Sequence, residues 1–187
     1  MGALEIADVV ARQLSYKVAD RELIEKIASQ ANTSKTAISF FDERFPGYAS
    51  RTFKYLFGEK SFIDSDYLRH LFSAINAIAA LEPTIFVGRG AHLVLPRERV
   101  LAVRFICSDE FRVDRIAHIM KIDQSEAKKQ LSVIDKEQAA FFKKVFGKKA
   151  ADAYEFDMVI NMDHFSVPAH VADLVALAFT KKFKSGA

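Results

Sequence analysis

Three arginines stand where this chain could hold a phosphate. Arg89 lies in Gly88-Arg89-Gly90, directly after the apolar run Thr84-Ile85-Phe86-Val87. Two glycines permit a close backbone approach, and a guanidinium can grip a phosphate through two parallel N–H bonds. The same three residues also suit a tight turn that carries a surface arginine, and the local sequence leaves both readings open. Arg112 and Arg115 are three apart, so on a helix their guanidinium groups can project toward one ligand. The competing reading is a solvated basic face paired with Asp109 or Asp114. Asp135 and Lys136, with Lys143 and Lys144 two turns on, put mixed charge on a second helix, where a solvated face is the default.

Other chemistries lose support. The five histidines, His70, His92, His118, His164 and His170, show no HExxH and no paired Cys/His spacing, so no metal site is expected. Cys107 ends an apolar run with no activating neighbour in sequence and reads as packing. There is no G-x-S-x-G elbow and no G-x-x-x-x-G-K-[ST] phosphate loop. The run from Phe141 to Lys149 mixes aromatic and basic residues as single-strand nucleic-acid surfaces do. Its phenylalanines are also spaced to pack a helix end, and that reading is preferred.

Composition sets the frame for these residues. The chain has 187 residues, 50% of them hydrophobic, enough for the core of about one domain. A formal charge of +3 gives no whole-molecule pull toward nucleic acid or an anionic membrane, so phosphate affinity must come from local placement. No apolar run reaches the ~18 residues of a membrane span. The opening MGALEIADVV has no basic segment before its apolar residues, and Ile6 breaks the myristoylation pattern. A single cysteine excludes an intrachain disulfide, so a reducing, cytoplasmic location is expected.

The elements that must position the arginines follow from periodicity. Leu4, Ala7, Val10, Ala11 and Leu14 form the stripe of a first helix over 3–14. A short strand at 16–19 precedes Asp20, an N-cap for a helix over 21–30. Thr33 or Ser34 starts another helix to about Glu43, Pro46-Gly47 breaks it, and an aromatic-rich stretch over 48–61 has no assigned form. Asp64 or Ser65 caps a longer helix with Leu68, Leu71, Phe72, Ile75 and Ala79 on one face. Strands are expected at 84–87, 100–106 and 156–160. Ser108 or Asp109 caps a helix carrying Phe111, Val113, Ile116, Ile119 and Met120. Asp123 and Glu126 open a helix over 124–146, closed by Gly147. Ser166, with Pro168 in the first turn, starts a last helix faced by Val171, Leu174, Val175 and Ala178. Short apolar strands alternating with helices predict an α/β fold, a parallel sheet covered on both faces. Ligands bind beyond the carboxyl ends of such strands, which puts Gly88-Arg89-Gly90, Ser108-Asp109 and Asn161-Met162-Asp163 at one rim.

The order of these motifs resembles the cytidylate kinase-like family of P-loop proteins. The resemblance runs over almost the whole chain: GALEIADVVARQLSYKVADRELIEKIA, IFVGRGAHLVL, the FRVDRI helix, the DKEQAAFFKKVFG helix end and FDMVINMDHFSV. It implies a three-layer P-loop NTPase-like fold in a single domain over 1–187, with a helical acceptor-side insert around 33–81 and a lid-like helical region around 109–147. It also implies a nucleotide-binding transferase, a kinase moving a phosphoryl group from ATP, with Mg2+, to CMP or dCMP. By position, Arg89 looks like the arginine that meets the acceptor phosphate. Arg112 and Arg115 resemble lid-side arginines on the donor phosphates, and Asp20 and Asp135 would shape the acceptor side.

Two departures accompany the resemblance. Family members begin with a strand and a glycine-rich loop immediately before the helix matched by Glu5-Ile6-Ala7, whereas this sequence opens at Met1-Gly2. The expectation is a sheet without its first strand and with Gly2 as the last glycine of the phosphate loop, at a helix N-terminus suited to an anion. A vacated central strand would leave roughly 10 Å between neighbours, which an upstream segment or a second copy in a homodimer would fill. Gln138 stands where relatives commonly carry an arginine, removing a cation. Weak or absent turnover is therefore expected, and a non-catalytic nucleotide-binding or regulatory module is the alternative.

Overall fold

The computed structural model describes residues 2–31, 65–147 and 152–183. The expected helix from Thr33 or Ser34, the Pro46-Gly47 break, the aromatic-rich stretch and Asp64 lie outside them. The chain divides into two compact units, Ala7–Val100 and the pair of segments Met1–Ile6 and Leu101–Ala187.

The Ala7–Val100 unit holds most of α1 (Ala3–Leu14), then β1 (Lys17–Ala19), α2 (Arg21–Ala31), α3 (Ser65–Leu81), β2 (Thr84–Phe86) and α4 (Ala91–Val94). Helix α1 stops where Ser15 turns left-handed (φ 58°) and Tyr16 N–H reaches back to Ala11 C=O at 2.9 Å. That closure satisfies a terminal carbonyl and turns the chain into β1. Strands β1 and β2 pair in parallel, Lys17 with Thr84 and Ala19 with Phe86. Helix α2 packs on α3, where Ile24, Ala28, Leu68, Leu71, Phe72 and Ile75 are buried. Asn76, also buried, donates to Phe72 C=O at 2.8 Å, so its amide is not left unpartnered in the core.

The other unit pairs β3 (Val103–Ile106) in parallel with β4 (Met158–Asn161). Its helices are α5 (Asp109–Met120), α6 (Gln124–Phe146) and α7 (Pro168–Phe183), with α5 packed against α6. Ser108 caps α5 by accepting from Phe111 N–H, and Asp123 caps α6 by accepting from Glu126 N–H. Gly147 ends α6 in the left-handed region (φ 65°), which a side chain would resist. Ile6, Ala102, Ala127, Leu131, Val145, Phe146, Ile160, Met162, Val171 and Ala172 are among its buried apolar residues.

The parallel pairing and α/β class match expectation, with differences at the edges. The third strand starts at Val103 rather than Val100, because Ala102 N–H is taken by the Asp157 carboxylate at 2.7 Å before the ladder begins. The fourth correspondingly starts at Met158 rather than Phe156. Leu4 is 44% exposed, since the buried stripe of α1 centres on Ile6, Ala7, Val10 and Ala11. Ile119, Met120 and Leu174 are exposed despite their apolar spacing. The short helix α4, unannounced by any periodicity, follows Gly90. No helix among the described residues is long and apolar enough to cross a membrane.

Leu71 is fully buried where α3 meets α2. Leu71→Ala is expected to cost about 2–5 kcal/mol, read as a lower denaturation midpoint at unchanged m-value.

Candidate phosphate-binding site

At the carboxyl end of β1–β2, Val87 N–H donates to Ala19 C=O at 2.9 Å, extending the pairing one residue beyond the strands. The chain then takes three consecutive positive φ angles: Gly88 at 93°, Arg89 at 53° and Gly90 at 67°. A Cβ on Gly88 would meet nothing within 4 Å, so glycine there serves the backbone angle and not a tight contact. Arg89 has a Cβ and adopts the left-handed region at a cost of about 1–2 kcal/mol.

Its side chain is held as firmly as its backbone. The Arg89 side chain is 12% exposed, and its Nε lies 2.7 Å from Glu25 Oε1, an ion pair not aligned as a hydrogen bond. Tyr67 Oη donates to the same carboxylate oxygen at 2.8 Å. The Tyr67 phenol is pushed up to about 12, first by burial and then by the Glu25 hydrogen bond and charge; the charges of Arg89 and Arg21 act the other way. Asp20, at the end of β1, accepts from Leu23 N–H at 2.9 Å and caps α2. Asp20 and Arg89 therefore follow the ends of paired strands.

The other unit brings its own expected residues together in two places. Gly2 is buried at the start of α1, and a Cβ there would lie 3.2 Å from Arg115 Nη2. Arg115 Nη2 in turn donates to Glu5 Oε2 at 2.8 Å. Arg112 grips Asp135 with both terminal nitrogens, Nη1 to Oδ2 at 3.0 Å and Nη2 to Oδ1, and its Nη1 also reaches Asp109 at 3.3 Å. The hydrogen bond to Asp135 raises the Arg112 pKa, against a smaller opposing effect of burial. Asp114 accepts from Gln124 at 2.7 Å.

Asp163, beyond the end of β4, accepts from Ser108 N–H through both oxygens at 3.0 and 2.9 Å and from Ser108 Oγ at 3.1 Å. It thereby fixes the start of the helix that carries Arg112 and Arg115. Cys107, beside this junction, has its thiol pKa raised chiefly by burial, which weakens it as a nucleophile.

The sequence model of the cytidylate kinase-like family matches residues 1–164. The chain belongs to the cytidylate kinase-like family. The crystal structure of an uncharacterized protein from Eubacterium ventriosum ATCC 27560 shares the fold, with a TM-score of 0.69 at 14% identity over 96% of this chain and 92% of that one. No curated protein matches the chain. Within this cytidylate kinase-like chain, Glu25 meets Arg89 and Tyr67, Glu5 meets Arg115, and Asp163 holds Ser108 at the start of the helix that carries Arg112 and Arg115. Ser108 carried a signal in the sequence as a cap, and Asp163 as part of the expected rim after the last strand. The others act on partners 42 to 110 positions away, and no local spacing reveals such pairs.

Of the five tyrosines, Tyr67 is expected to ionise near pH 12, seen as a late phase in a 295 nm titration that Tyr67→Phe removes. Its folded pKa lies above the ordinary 10.0, so the linked stability is complete below pH 10 and is lost as pH rises through 12.

Proposed function

We propose that the protein is a cytoplasmic nucleoside monophosphate kinase-like phosphotransferase, moving the γ-phosphoryl group of ATP to CMP or dCMP. One observation carries the reading: in a member of this family, an arginine sits in a left-handed turn at the carboxyl end of a parallel strand pair, its guanidinium anchored by a carboxylate. Phosphoryl transfer depends mainly on positioning and on neutralising charge over the transferring oxygens, which fixed arginines supply.

In this reading Arg89 holds the acceptor phosphate, with Asp20 shaping the same side from the end of β1. Arg115, against the N-terminus of α1 at Gly2, and Arg112 meet the donor phosphates; Asp135, which the resemblance assigned to the acceptor side, is in this reading the partner that orients Arg112. Gly2 fits that task, because its missing Cβ lets the guanidinium lie over a helix end that presents N–H groups. Among the described residues no group of three His, Cys, Asp or Glu could hold a metal ion alone. Mg2+ would be held chiefly by the nucleotide's own phosphates, as is usual for this ion. Bound Mg-ATP supplies the phosphoryl group and part of the charge neutralisation.

The alternative is a nucleotide-binding or regulatory module without turnover. It is favoured by the pairing of Arg112 and Arg115 with Asp135 and Glu5, carboxylates that an incoming phosphate must share or displace.

A coupled ADP-release assay with ATP, Mg2+ and a panel of nucleoside monophosphates, run beside calorimetric binding, separates the two. CMP- or dCMP-dependent ADP release supports the kinase, and binding without release supports the module. In an active protein Arg89→Ala is expected to raise the KM for CMP about tenfold or more while the KM for ATP stays within about twofold. An equal rise in both would contradict the role given to Arg89.

A further inference from the structure

We propose that Glu25 and Tyr67 are positioning residues that hold Arg89 in its phosphate-binding pose. The proposal rests on the reading of Arg89 as the acceptor-phosphate ligand and extends it to two residues on separate helices. A surface arginine on a tight turn would have an exposed, mobile head. Arg89 instead has a largely buried side chain with its Nε against Glu25, and it keeps a strained backbone angle at the same time. Strain of this kind persists where the surroundings over-determine it, and here α2 and α3 supply the determinants.

The chemistry of the trio is specific. Glu25 Oε1 takes the Arg89 ion contact and the Tyr67 hydroxyl proton together. The carboxylate fixes the guanidinium, but its charge opposes a phosphate on the same arginine. The Tyr67 hydrogen bond draws charge from that oxygen, so the anchor is kept while its repulsion of the phosphate is reduced. The Tyr67 phenol stays protonated, and so a donor, throughout the neutral range.

Two readouts test this, one free of any ligand. In a 1H–15N spectrum of arginine side chains, the Arg89 Nε–H signal, assigned by its loss in Arg89→Lys, should be sharp and slowly exchanging. It should exchange at least about tenfold faster in both Glu25→Ala and Tyr67→Phe. The second readout is affinity for CMP against cytidine, which isolates the phosphate. Glu25→Ala should weaken CMP about tenfold and leave cytidine unchanged. Glu25→Gln, whose amide oxygen still accepts from Tyr67, should recover part of the loss, and Tyr67→Phe should weaken CMP about threefold.

Unchanged Nε–H exchange in the variants overturns the positioning role, as does equal loss of CMP and cytidine. If Arg89→Ala itself binds CMP as the parent does, or the parent shows no CMP binding, the underlying reading of Arg89 fails instead. If Glu25→Ala does not fold, Tyr67→Phe, which removes one oxygen atom, decides the matter through the same two measurements.

Discussion

A guanidinium taken partly out of water needs a carboxylate, and this requirement organises the molecule around its candidate cations. Arg89, Arg112 and Arg115 have side chains 12%, 19% and 32% exposed, and each is paired within its own unit, with Glu25, Asp135 and Glu5 respectively. Leaving such a group unpaired would cost far more than an exposed ion pair returns. The partners therefore have two physical roles. They make the arginines tolerable in the folded chain, and they set the orientation of each guanidinium.

The backbone does the rest of the positioning. Parallel pairing of β1 with β2 brings the chain after Ala19 and the chain after Phe86 to one end, where Asp20 caps a helix and Arg89 occupies a left-handed turn. In the other unit the parallel pair β3–β4 ends with Asp163 holding Ser108, and that junction starts the helix bearing Arg112 and Arg115. The two junctions share a logic: a strand ends, a side chain captures backbone N–H groups, and a helix begins at a defined place.

Much of this was legible in the sequence because it is local. Asp20, Ser108, Asp123 and Gly147 announced helix ends through residue type and spacing, and the apolar runs announced strands to within a few residues. Burial was less legible. Leu4, Ile119, Met120 and Leu174 fit helical stripes yet face outward, since a stripe's margins are decided by what packs against it. The pairing of Arg112 with Asp135, and of both Arg89 and Tyr67 with Glu25, was not legible at all. These contacts are set by helix packing, and an acidic residue on a helix carries no mark of the arginine it will meet. The cytidylate kinase-like resemblance, by contrast, was legible in the order of motifs along the chain, and the family's sequence model matches residues 1–164.

The most direct test of the account is a crystal structure of the protein with CMP. It predicts the CMP phosphate within hydrogen-bond distance of the Arg89 guanidinium, beyond the carboxyl ends of β1 and β2, with Glu25 still against Nε. A phosphate bound elsewhere while Arg89 keeps only its protein partners would contradict it.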